Sequence, residues 1–280
     1  MALIDMSEIF QMTNVGDHID GTDVYQSNPN LLDNAYFVGG GSQLGDGVFP
    51  INQRGLSNYG AGYTIDRWKL SSGSTLVFTN DGISINGLFF QKKVIDFTVG
   101  ETYTLSRQTT DGNVVSVTGV VPSNEGWMIG DQNFGVYFRP STKVCDIQIW
   151  GTYLLKAVKL EKGTVSTLAN DAPPDFGEEL RKCRWYLRDV SLKRTPCYFD
   201  GTYSVAVLTL TGIEMAKSPT PSLITAGFAW QPAASASANL TAVSLITFEQ
   251  YTPTIQFQLT AALSGMGMIY DTVVRLSCEL

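Results

Sequence analysis

Between residues 31 and about 162 the chain repeats one pattern: a short run of β-branched and aromatic residues, a turn-forming cluster, then another run, with no helical period. The runs fall at 75–79, 83–85, 94–97, 102–105, 114–117, 135–138 and 144–153 and are rich in Val, Ile, Thr, Tyr and Phe. Between them stand N-D-G at 80–82, D-G-N at 111–113 and N-E-G at 124–126, residues that accept the positive φ of tight turns. Runs recurring at about 8–12 residues bury an apolar face only by pairing antiparallel. The pattern predicts an all-β fold, with an antiparallel sandwich or jelly roll over 31–165.

A chain of 280 residues has room for about two domains. The string N-D-A-P-P-D at 170–175 opposes regular structure, so 166–177 reads as a linker. After it, E-E-L-R-K-C at 178–183 reads as one helical turn leading into a strand at 185–190. Further strand-type runs at 203–211, 222–228, 242–248, 254–259 and 272–277 predict a second small β-sandwich over 178–280. The small-residue piece 233–238 reads as a loop within it.

Charge marks off a third region. Residues 1–30 carry Asp5, Glu8, Asp17, Asp20 and Asp23 and no Lys or Arg, which sets them apart as an acidic N-terminal arm. Leu3, Ile4, Met6, Ile9, Phe10 and Met12 are spaced loosely for an amphipathic helix, in a segment too short to order alone in water, so the arm needs a partner surface. Asp5 and Glu8 occupy the place of a signal peptide's apolar core, and no uncharged apolar run is long enough to enter a membrane. Any Ser-His-Asp triad would have to be built on the single histidine, His18, which stands in the acidic arm, and one histidine cannot make a multi-histidine zinc site. No enzymatic activity, cofactor or metal is therefore expected. A net charge of −7 argues against nucleic acid as a partner, because phosphate contacts need clustered cations. Cys145, Cys183, Cys197 and Cys278 have no C-x-x-C spacing and read as reduced, mostly buried thiols, with a Cys183–Cys197 bridge as the alternative.

A series of ordered strings carries a resemblance: N-L-L-D-N-A-Y-F at 30–37, I-N-Q-R-G at 51–55, Y-T-I-D-R-W at 63–68, A-V-K-L-E-K-G at 157–163, E-L-R-K-C-R-W-Y at 179–186, M-A-K-S-P-T at 215–220 and the ending S-C-E-L at 277–280. Together they resemble a family of bacteriophage and prophage tail-fibre, receptor-binding proteins. That resemblance implies a first domain like a carbohydrate-binding-module jelly roll, a C-terminal head domain, a homotrimer, and exposure on the exterior of a virion assembled in the host cytoplasm. The arm would then dock on other virion proteins and the domains would meet host-surface glycan. Arg184-Trp185 and Ala216 depart from the family's usual Gln-Arg and Arg, so any role those residues have elsewhere does not carry over.

Two kinds of residue are candidates for a site. Asn52, Gln53, Arg54, Asp66 and Arg67 have the amide and guanidinium groups that bind vicinal hydroxyls, yet Arg54 and Asp66 could equally form a buried pair that pins sheet edges, with Trp68 beside them in the core. Exposed aromatics are the stronger candidates, because a flat ring stacks on the C–H face of a sugar: Tyr59, Tyr63, Trp127, Tyr137 and Trp230. Trp127 follows a turn, and Trp230 opens the loop expected at 233–238. Trp68, Trp150 and Trp185 are expected in the core, with an exposed, sugar-contacting position as the alternative for Trp150. Two functions follow: host attachment through trimeric β-sandwiches, or a structural head fibre, collar or baseplate decoration without receptor binding.

Overall fold

The computed structural model describes residues 18–19, 22–23, 27–38, 49–211, 213, 215–249 and 252–279. The fold is all-β. Most of the expected arm (1–17, 20–21 and 24–26) lies outside the described residues; within it, β1 (His18–Ile19) pairs antiparallel with β2 (Thr22–Asp23).

The first unit comprises β3 (Asn58–Tyr59), β4 (Gly62–Tyr63), β5 (Trp68–Leu70), β6 (Thr75–Thr79), β7 (Gly82–Val94), β8 (Thr102–Thr109), β9 (Val114–Val120), β10 (Gly126–Gly130), β11 (Phe134–Arg139) and β12 (Val144–Lys162). All belong to one ten-stranded sheet system. Its backbone is the long antiparallel ladder of β7 and β12, from Val94↔Val144 to Ile83↔Leu155. The second edge of β12 takes β11 near its start and β8 near its end, while the second edge of β7 takes β6 and β5. Residues 95–97, expected to continue a strand, leave the ladder after Val94.

Ladders this long must bend to enclose a core. Gly87 and Gly151 stand directly opposite each other with φ of 102° and 143°, a conformation that costs glycine least. A Cβ on Gly87 would lie 2.2 Å from Ser74 Oγ, and one on Gly151 would lie 2.7 Å from the Tyr153 ring. The enclosed core includes Trp68 stacked on Phe89 at 4.5 Å, with Phe37 edge-on to both. Trp68 Nε1 donates to the carbonyls of Asp33 (3.1 Å) and Asn34 (2.9 Å), so the indole's one polar atom is satisfied inside.

Residues 27–30, assigned to the arm by charge, are bonded to β12. Asn30 Nδ2 donates to Val158 O at 2.8 Å and Asn28 Nδ2 to Lys162 O at 3.0 Å. Fully buried Lys159 extends the attachment, donating to Thr167 Oγ1 (2.7 Å), Asp171 Oδ1 (2.8 Å) and Ser27 Oγ (3.0 Å), with Glu161 at 3.5 Å. The first half of the expected linker, including a 3-10 turn at Leu168–Asn170, therefore lies against the first unit.

The linker also contains a helix start. Asp175 caps α1 (Phe176–Arg184), its carboxylate accepting from Glu178 N at 2.7 Å, so the helix is longer than the single turn expected. Beyond it lie β13 (Leu187–Leu192), β14 (Thr195–Asp200), β15 (Val205–Thr209), β16 (Thr220–Thr225), β17 (Phe228–Gln231), β18 (Ala236–Glu249), β19 (Thr252–Leu259), β20 (Gly265–Tyr270) and β21 (Thr272–Ser277). The expected small sandwich takes the form of a closed barrel, β14-β15-β19-β18-β17-β20, with the sheet β13-β21-β16 packed against it. Phe199, Phe257, Ile255 and Ile269 of the barrel share one core with Val274 and Leu276 of that sheet. The loop expected at 233–238 is reduced to a 3-10 turn, Pro232–Ala234, before β18 begins at Ala236. Cys145, Cys183, Cys197 and Cys278 are buried and unpaired, Cys183 and Cys197 included.

Two substitutions test these constraints. Gly87→Ala should destabilise the protein by about 2–3 kcal/mol, from backbone strain and the Ser74 collision. Lys159→Met should cost about 3–5 kcal/mol by leaving Glu161 and Asp171 uncompensated. Urea midpoints relative to the parent chain check both; unchanged midpoints would refute them.

Candidate functional site

The sequence candidates separate into two places. Asn34 opens the first: its side chain is fully buried, donating to Ile51 O (2.8 Å) and Asp66 O (3.0 Å) and accepting from Ile51 N (2.7 Å). It thus brings the strings at 30–37, 51–55 and 63–68 together. Asp33 beside it accepts from Arg67 Nε (3.2 Å) and Lys93 Nζ (2.5 Å). Burial alone raises an acid's pKa, but these two cations hold the Asp33 carboxyl below its ordinary value.

From this base the polar side chains reach across to the second unit. Arg67 lays its guanidinium over the Tyr186 ring at 3.5 Å, and its backbone N–H donates to Glu279 Oε1 at 2.9 Å. Arg54 lies between Asp66 (3.6 Å) and a close contact with Glu279. Gln53 Nε2 donates to Asp66 Oδ2 (2.5 Å) and to Leu187 O (2.9 Å), while its carbonyl accepts from Arg275 (2.9 Å), which is itself bidentate on Asp189. Asn34 N donates to Glu179 Oε2 of α1 at 2.7 Å, and Phe49 meets Phe176 edge to face. Asn52 instead clamps its own turn, donating to Leu56 O at 2.9 Å. Gln53, Arg54 and Arg67, with Asp66 buried beneath them, face protein rather than solvent and make a joint between the units, whereas Asn52 holds its own turn and Trp68 lies in the core of the first unit. Asp66 is fully buried, and that burial pushes its carboxyl up to about 7 despite the bonds from Gln53 and the charge of Arg54.

The aromatic candidates do not gather in one place. Tyr59 is a core residue, packed edge-on to Phe78 with its hydroxyl bonded to Asn52, and offers no ring face; the expectation of an exposed ring is corrected here. Tyr63 is half-buried beneath Arg54 and Lys69, each about 5 Å from its centroid. Trp230 is half-buried on the barrel, between Ser237 and Met268 of its neighbouring strands. Trp127 and Tyr137, by contrast, are cross-strand partners on β10 and β11, their rings 5.4 Å apart and nearly perpendicular. A register shift between Trp127 and Ile129 turns Met128 and Ile129 both inward and leaves Trp127 39% exposed.

Charged groups ring this ledge. Tyr137 Oη donates to Glu125 Oε1 (3.1 Å), a bond that raises the phenol's pKa; Glu125 also pairs with Arg139 (3.3 Å), which pairs with Asp146 (2.7 Å). The ledge therefore combines a stacking face with fixed acceptors and donors at its rim, the chemistry that a hydroxylated ring requires. Trp150 (50% exposed) and Trp185 (38% exposed) are surface residues, correcting the expectation that both lie in the core. Trp150 sits on the solvent side of β12 and Trp185 is the C-cap of α1, outside any strand.

Sequence reasoning missed a groove of about 480 Å³ on the barrel, lined by Tyr198, Asp200, Tyr203, Val205, Val207, Gln256 and Gln258. Its available signal was the alternation in β14, where buried Cys197 and Phe199 force Tyr198 to the opposite face. The chain matches no protein-family model, no curated protein and no solved structure. Among the described residues no group of His, Cys, Asp and Glu has an arrangement suited to a metal ion, and no helix is long and apolar enough to cross a membrane.

The joint carries a pH dependence. The folded chain binds the Asp66 proton more tightly than the unfolded chain does, so this group's contribution is complete below pH ~4 and is lost as pH rises through about 7. Asp66→Asn keeps the shape and removes the ionisation. Compared with the parent, the variant should gain relative stability between pH 5 and pH 8, read as the difference in urea midpoints; a parallel pair of profiles would refute the assignment.

Proposed function

We propose that the chain is a phage virion fibre or receptor-binding protein that attaches to host-surface glycan through the Trp127–Tyr137 ledge. The observation that carries this reading is an indole and a phenol held side by side at the surface, with Glu125 and Arg139 fixed at their rim. A sugar's C–H face stacks on the exposed ring while its hydroxyls bond the flanking carboxylate and guanidinium. The tail-fibre-like strings in the sequence supply the virion context, with a homotrimer, docking through the arm and display on the particle exterior. Three copies raise the effective concentration of a shallow site, so firm attachment does not require high intrinsic affinity. No catalytic role is proposed.

The alternative, a head fibre, collar or baseplate decoration without receptor binding, is favoured by the joint, because a rigid two-unit block suits lattice filling. Location on the particle separates the two, since a protein found only on capsid vertices would leave no place for tail-tip attachment.

Trp127→Ala should weaken whole-cell or glycan-array binding by about tenfold or more, equivalent to ~1.4 kcal/mol per site, with the fold unchanged. Unaltered binding would remove the ledge from the reading. Removing residues 1–26, which spares the Ser27 and Asn28 bonds to β12, should leave a folded protein that no longer enters virions. Retained incorporation would refute docking through the arm.

A further inference from the structure

The barrel groove consists of two outward rows on adjacent strands. Tyr198 of β14, Val207 of β15 and Gln256 of β19 are in register, and Asp200, Val205 and Gln258 form the next row. The residues between them, Phe199, Ala206 and Phe257, are fully buried, so the first row points to solvent by the alternation of the strands. Tyr203, in the turn between β14 and β15, is 71% exposed, and Tyr198 is 55% exposed. The turn that carries Tyr203 is held in place, because Gln258 Nε2 bonds the carbonyls of Tyr203 (3.4 Å) and Ser204 (3.3 Å).

The polar groups of this groove differ from those of the Trp127 ledge in one respect. At the ledge, Tyr137, Glu125, Arg139 and Asp146 already bond one another. In the groove the hydroxyls of Tyr198 and Tyr203 and the side-chain amide of Gln256 have no hydrogen-bond partner among the described residues, and Asp200 uses only Oδ1, for Thr202 N at 2.9 Å. Two phenol rings, an amide able to donate and accept, and a carboxylate oxygen thus converge on about 480 Å³ of open space. No Lys or Arg lines it, so an acidic ligand would meet the Asp200 carboxylate without compensation.

We propose that this groove is a second binding site, for a neutral saccharide that stacks on Tyr198 or Tyr203 and bonds Gln256 and Asp200 through its hydroxyls. The site lies on the other unit from the ledge and does not depend on it, although both serve the attachment reading.

The test uses the full chain and short neutral oligosaccharides of glucose, galactose and mannose, with oligogalacturonate as the acidic probe, followed by titration calorimetry and sedimentation. At least one neutral oligosaccharide should bind saturably and more tightly than oligogalacturonate. Tyr203→Ala and Gln256→Ala should each weaken it about tenfold, Tyr203→Phe should weaken it less, and the sedimentation of all variants should match the parent. Both side chains are on the surface, so melting temperatures report that the fold is kept. Absence of any neutral-sugar binding, preference for oligogalacturonate, or full affinity in both alanine variants overturns the proposal. So does a change in sedimentation on Tyr203→Ala, which would make the groove a contact between copies. Trp127→Ala distinguishes the two sites: if it alone removes binding, the groove falls and the ledge stands, and if it has no effect while the groove variants do, the groove stands and the ledge falls.

Discussion

The contact between Arg54, Arg67 and the carboxylates of Asp33, Asp66 and Glu279 decides how the two units meet. Placing charges where water is excluded is costly, and mutual attraction offsets that cost only when nearly every lone pair and proton finds a partner. Here the partners come from separate parts of the sequence: Glu279 from the last described residues, Tyr186 from the segment after α1, and Asp33 from the segment before the first sheet. A shift of the units by the length of one hydrogen bond would strand several charges together. The joint therefore contributes more to specificity of orientation than to net stability, and Asp66, pushed up to about 7, marks where charge compensation is least complete.

The same logic operates inside the first unit. Lys159 and Glu161 lie on β12 with no exposure, and they are tolerable only because Thr167, Asp171 and Ser27 return to satisfy them. A linker and an arm end that look featureless in sequence are thus held by two buried charges on a strand. Arg107 gives a different solution: its guanidinium lies between Phe134 (4.6 Å) and Tyr153 (3.8 Å), where ring faces stand in for a carboxylate.

Strand content was legible where β-branched and aromatic residues cluster, as at 75–79, 114–117 and 272–277, and in the last of these the burial of Thr272, Val274 and Leu276 alternates with half-buried neighbours. It failed at β10, β14 and β20, where Gly126, Pro196 and Gly267 interrupt the β-branched composition and neighbouring strands impose extended structure. Gly267 is required there by approach alone, since a Cβ would lie 2.0 Å from the Phe199 ring. Tryptophan was read least well. An indole in a strand has equal propensity for either face, and only pairing register decides; Trp68 points inward against Phe89, whereas Trp150 points outward. Of the candidate site, the pairing of Trp127 with Tyr137 was beyond reach of sequence, because it depends on a hairpin register and a bulge. The barrel groove was further still, assembled from three strands whose mutual alignment no local signal records.

A fixed joint also has a consequence for binding by shallow surfaces. If the ledge and the groove were on freely tumbling units, occupation of one would do little to present the other, because a flexible connection spreads the second site over many positions. With the orientation set by Arg54, Arg67, Gln53 and Arg275, the two surfaces keep one separation and one relative direction. Saccharide polymers repeat their units at fixed spacing, so a fixed pair of sites gains from a polymer that matches that separation and gains nothing from one that does not. If the ledge and the groove both bind saccharide as proposed, discrimination between surface polymers comes from the joint as much as from either site.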